Sequence, residues 1–155
     1  MNRVSAVLRA LHHGEQHLAR ELVTVADRHS GEHEVHHVAR DLAVWSREHA
    51  RRLAEATGEE HPRAPGHGLF APLTTTPEAG RPREPGLLLL HDLGALHLTA
   101  TRNSLYWQVI AQAAQATRDE RLLDLASTCH PRTLRQIRWT TTMIKNLAPQ
   151  ILTST

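Results

Sequence analysis

Apolar side chains recur at spacings of three and four along four stretches of the chain, and the segment between the second and third stretches has no such rhythm. From Arg3 to about Arg28, Val4, Leu8, Leu11, Glu15, Leu18, Leu22 and Val25 trace the seam of an amphipathic helix. A second helix is predicted over about 32–57. Its seam is Val35, Val38, Leu42, Trp45, His49, Arg52 and Ala56, widened by Ala39 and Leu53. Ser30, with Glu32 and Glu34 behind it, reads as the N-cap, and Gly58 as the stop. The third helix, about 87–117, carries Leu90, Leu93, His97, Ala100, Ser104, Trp107, Ala111 and Ala114 on one face. The fourth, about 119–148, carries Leu122, Leu125, Leu134, Ile137, Thr141, Ile144 and Leu147. Pro131 either kinks that helix or opens a new one after a short turn.

Residues 58–86 hold six of the eight prolines and five of the eight glycines, which no helix sustains. A helix of about 26 residues is about 39 Å long, and 29 extended residues reach more than twice as far. The segment can therefore carry the chain back to the far end of a bundle, with Leu69, Phe70 and Leu73 as anchors. The expected fold is all-α: one domain over 1–155, a four-helix bundle with a long crossover between its second and third helices.

Composition narrows the class further. With 155 residues, 40% hydrophobic and 22% charged, the chain suits one globular core, and 3% aromatics leave that core to aliphatic side chains. The formal charge is +2, and arginines and carboxylates alternate along the helices, so a nucleic-acid footprint is not expected. The longest apolar run, Leu87 to Leu90, is far short of a membrane span, and no signal-peptide core forms near the N-terminus. A cytoplasmic location is the default expectation. Cys129 stands alone, so no disulfide within the chain is expected.

Polar residues on otherwise apolar seams supply the candidate chemistry. Glu15 lies on the first seam, His49 beside Glu48 on the second, His97 on the third, and Cys129 with His130 on the fourth. Four helices with a long middle connection resemble the ferritin-like superfamily, whose inward-facing carboxylates and histidines hold metal. In this resemblance Glu15 matches the ligand of the first helix. Glu48 and His49 are adjacent rather than three apart, Asn103 and Ser104 stand where the third helix would offer a carboxylate, and His130 lacks its preceding Glu. The resemblance therefore implies a degenerate site without a di-iron centre. One divalent ion held by Glu15, His49 and His130 is the leading expectation, with iron, zinc, manganese or copper compatible with such donors. If the crossover makes the second and third helices parallel, those residues share a layer within roughly 6 Å, with Trp45, Tyr106 and Trp107 as an aromatic wall. If those helices are antiparallel, His97 replaces His130. Gly14 beside Glu15, and Gly94 near His97, suggest close packing or a local bulge at both places.

His29, His33 and His37 recur every four residues around the first turn, with His36 adjacent, and form a secondary metal candidate. His13 and His17 repeat the spacing. Arg132, Arg135 and Arg138 read as a solvated face, and Cys129 as a buried, inert thiol. The functional expectation is a ferritin-like bundle binding one metal ion, with donors that would support redox or oxygen chemistry. The alternative is a non-catalytic bundle acting as a dimerisation or partner-binding module, with a homo-oligomer or a protein as its partner.

Overall fold

The computed structural model describes residues 3–58, 68–70 and 80–154. Among them are four helices and no strand: α1 (Arg3–Arg28), α2 (His33–Thr57), α3 (Pro85–Thr117) and α4 (Glu120–Thr153). The ends follow local chemistry. Glu84 caps α3 by accepting from the backbone N–H groups of Gly86 and Leu87, with Pro85 in the first turn, and Asp119 caps α4 through the N–H of Leu122. Gly58 ends α2 in the left-handed conformation, with φ at 71°. Ser30 does not cap α2. The helix starts at His33 behind Glu32, which makes no side-chain cap. Pro131 and Pro149 are both absorbed inside α4, so the helix is not split and runs beyond the expected end at 148. Of the crossover anchors, Phe70 packs on Tyr106 and Leu69 is exposed, while Leu73 lies outside the described residues.

Contacts along the helices fix their directions. Arg28 meets Asp92 and Glu15 meets Trp107, so α1 and α3 are antiparallel. His97 meets Thr140 and Ser104 meets His130, so α3 and α4 are antiparallel as well. Glu15 meets His49 and Asp27 meets Arg40, which sets α2 antiparallel to α1. It follows that α2 and α3 run parallel, as a crossover joining opposite ends of the bundle requires. The core falls into two apolar clusters. One gathers Leu18, Leu22, Val35, Leu42, Leu93, Leu96 and Met143, and the other Leu8, Leu11, Leu53, Trp107, Ile110 and Leu125. Between them, on all four helices, lies a belt of buried polar residues.

Candidate functional site: a buried polar layer

Helix α1 places Glu15 and helix α2 places His49 at the middle of the bundle, both with no solvent exposure. His49 Nδ1–H donates to Glu15 Oε2 at 2.7 Å, Trp107 Nε1–H donates to the same oxygen at 3.1 Å, and Asn103 Nδ2–H reaches Oε1 at 3.4 Å. Three N–H donors from α2 and α3 thus surround one carboxylate of α1, the arrangement that lets a charge stay buried. Gly14 makes room for it: a β-carbon there would overlap Oδ1 of Asn103. Gly94 has no such role, because nothing lies within 4 Å of a β-carbon built on it.

The layer continues across α4. Gln136 donates to the carbonyl of Leu42 at 3.1 Å and to Ser46 Oγ at 2.9 Å. Ser104 Oγ and His130 Nε2 are 2.8 Å apart, and burial lowers the pKa of His130, favouring a neutral ring that accepts the serine hydroxyl. Thr140 gives its hydroxyl proton to the carbonyl of Ile137, so it accepts from His97 Nδ1–H at 3.0 Å. Cys129 is fully buried, and burial, followed by the charge of Glu15, pushes its thiol up to about 12. It is no nucleophile at neutral pH.

The predicted ligands therefore divide. Glu15 and His49 come together, as their shared layer implies. His130 is engaged by Ser104 instead, and His97 by Thr140. Glu48 lies at the surface, where hydrogen bonds from Arg51 and then Arg52 draw its carboxyl down to about 2. Of the aromatic wall, Trp107 joins the layer directly, Tyr106 accepts the N–H of Phe70, and Trp45 lies beneath the guanidinium of Arg132. The turn histidines do not converge either. His29 turns inward to Asp92 at 2.7 Å, His36 donates to the carbonyl of Ala26, and His33 and His37 set their rings against each other 4.4 Å apart.

A metal centre in the layer would need about three converging donors. The oxygens of Glu15 already accept three N–H groups, and His49 Nε2, though buried, has no partner among the described residues. One imidazole nitrogen does not make a ligand set. Among the described residues, no three His, Cys, Asp or Glu side chains are grouped to hold a metal ion. What the layer can do chemically is hold one carboxylate, and with it the register of four helices, in a single arrangement.

Sequence reasoning missed Asp92, which is 3% exposed and accepts from Arg28 at 2.8 Å and from His29. The signal was available: in the 33 residues of α3, Asp92 and Arg102 are the two charged side chains. Gln136 and Thr140 were missed because amides and hydroxyls on a seam carry no pattern of their own. No protein-family model matches the chain, and neither does any curated protein or solved structure.

Proposed function

We propose that the chain is a ferritin-like bundle with a hydrogen-bonded middle layer, and that it works as a non-catalytic, self-associating module pairing with a second copy through the outer face of α3. One observation carries this reading: α3 has no charged face. Asp92 is buried in ion pairs and Arg102 lies on the side toward α1, so no charge interrupts the line of Leu87, His91, Gly94, Leu98, Thr101, Leu105 and Gln108. These follow one another at alternating spacings of four and three, the repeat of a helix-pairing seam. Leu87 is 43% exposed and Leu98 47%, while Gly94 leaves open space for a close approach. An uncharged helix face that exposes large apolar side chains is a natural surface for another helix to cover.

A second copy suits this stripe because the stripe complements itself. In an antiparallel, two-fold pairing centred on Leu98, Gly94 falls opposite Thr101 of the partner subunit, His91 opposite Leu105 of the partner subunit, and Leu87 opposite Gln108 of the partner subunit. No like charges oppose within it, and it runs for about 32 Å at 1.5 Å per residue. Leu134 of α4 is a further exposed leucine, at 44%. Sedimentation equilibrium tests the proposal. The wild type should be a dimer at micromolar concentration, Leu98→Glu a folded monomer, and Val44→Glu, at an exposed site on α2, still a dimer. A wild type monomeric at about 100 µM, or a dimeric Leu98→Glu, would refute it.

A further inference from the structure

A second surface feature makes no use of α3. Between α1 and α2 runs a groove of about 1080 Å³. Its floor is made of small side chains, Ala19 and Val23 on α1 and Ala50 and Ala54 on α2, with Ala19 and Ala50 buried. Its rims are polar and exposed: Gln16, Arg20 and Thr24 along α1, and Arg47, Arg51 and Glu55 along α2. A floor of alanines lets the backbone of a third helix approach closely in the furrow between two others. At Gly58 the groove reaches the end of the described part of α2, so the site is placed toward the opposite end, on residues 19–24 of α1 and 47–54 of α2.

Charge is unevenly met along the rims. Arg28 holds Asp92, Arg40 holds Asp27, Arg51 and Arg52 hold Glu48, and Arg51 also takes Glu55. Arg20 and Arg47 make no ion pair among the described residues, and neither has a carboxylate three or four positions away on its own helix. They stand on opposite rims. Because Glu15 is level with His49 and the two helices are antiparallel, Arg20 and Arg47 are about three residues, or about 4.5 Å, apart along the axis. We propose that this groove docks an acidic amphipathic helix of a partner protein. The apolar face of that helix lies on Ala19, Val23, Ala50 and Ala54, and carboxylates about one turn apart on its two edges meet Arg20 and Arg47. Val44, 57% exposed and one turn before Arg47 on α2, extends the apolar contact. A helix suits the groove better than a small molecule, whose sites cover most of the ligand, because exposed rims leave this groove open along its length. Two arginines beside an apolar floor are also not the basic stripe that a nucleic acid needs.

The probe is a capped, helix-forming peptide of about 14 residues with leucines on one face and glutamates along both edges, beside a control peptide with lysine at every glutamate. Fluorescence anisotropy gives the affinity and amide chemical shifts give the place. Saturable binding with Kd on the order of 10–100 µM is expected, with shifts confined to residues 16–24 and 44–55. Arg20→Glu and Arg47→Glu should each weaken it about fivefold, and both together at least about twentyfold. Ala54→Leu, which raises the floor, should weaken it about fivefold as well. Arg138→Glu, on the exposed side of α4, should leave it within about twofold. Arg20 and Arg47 are exposed, so their reversal leaves the core intact, and an unchanged thermal melt confirms it. No saturable binding of the acidic peptide at about 1 mM, equal binding of the lysine peptide, full binding by the double arginine variant, or shifts centred on α3 would each overturn the proposal. A short DNA duplex bound at the same residues as tightly as the peptide would overturn it too.

Discussion

Replacing Glu15 by Ala should cost the bundle about 3–5 kcal/mol, the range expected when one member of a buried, hydrogen-bonded charge pair is removed. The structure supports that size. The change strands three N–H donors, on His49, Trp107 and Asn103, where water does not reach. Each stranded donor costs about 1–3 kcal/mol before the cavity relaxes. For a domain whose whole stability is about 5–15 kcal/mol, this is about a fifth of the total or more. In a thermal scan it corresponds to a fall of about 10 °C. A double-mutant cycle sharpens the point. His49→Leu leaves the carboxylate short of a donor, and Glu15→Gln leaves the imidazole short of its anion, so each single change should destabilise by about 2–3 kcal/mol. With both made together, the new amide still accepts from Trp107 and the charge is gone, so the double variant should lie within about 1 kcal/mol of the wild type. Urea denaturation followed by circular dichroism gives all four stabilities, and the coupling should be at least about 2 kcal/mol. A Glu15→Ala loss under about 1 kcal/mol, or additive single changes, would refute the account of a structural polar layer.

Three further outcomes follow from the same packing. The Cys129 thiol, at about 12, should resist a disulfide reagent at pH 8 in native protein and react at once in denaturant, and rapid native labelling would contradict its burial. For Asp92, burial taken alone raises the carboxyl pKa, but hydrogen bonds from His29 and Arg28, with the charge of Arg28, outweigh it and hold the pKa below 3.8. A depressed carboxyl stabilises the fold above its unfolded value, so this contribution is complete above about pH 4 and disappears as the pH falls through the folded value. Asp92→Asn should therefore lower stability at pH 7 and flatten the acid limb of the stability curve, and an unchanged acid limb would tell against the ion pair. Gly14→Ala gains up to about 1 kcal/mol in helix propensity but displaces Asn103, so it should destabilise the wild type and stabilise an Asn103→Ala background, a reversal of sign readable in urea melts.

The sequence made the helices legible because each seam repeats many times over, so a single polar residue on it hardly disturbs the pattern. Cap positions rest on one or two residues, which is why Ser30 was misplaced while Gly58, whose left-handed backbone favours glycine, was found. Pro131 left a kink and a new helix both open, and the continuous α4 removes the second, because packing along the helix outweighs the local cost of a missing backbone bond. At the site, counting residues from the helix ends placed Glu15 and His49 at one level, because rise per residue is a property of the backbone. Level, however, does not fix direction. His130 occupies the layer but faces Ser104, and Asn103, which occupies the place of a ligand in the resemblance, donates to Glu15 instead of accepting a metal. A carboxylate that already holds three N–H donors has what a metal would otherwise supply, positive charge at close range. The same residues that make Glu15 look like a ligand in the sequence thus make it, in the fold, a hydrogen-bonded carboxylate that ties α1, α2 and α3 in register.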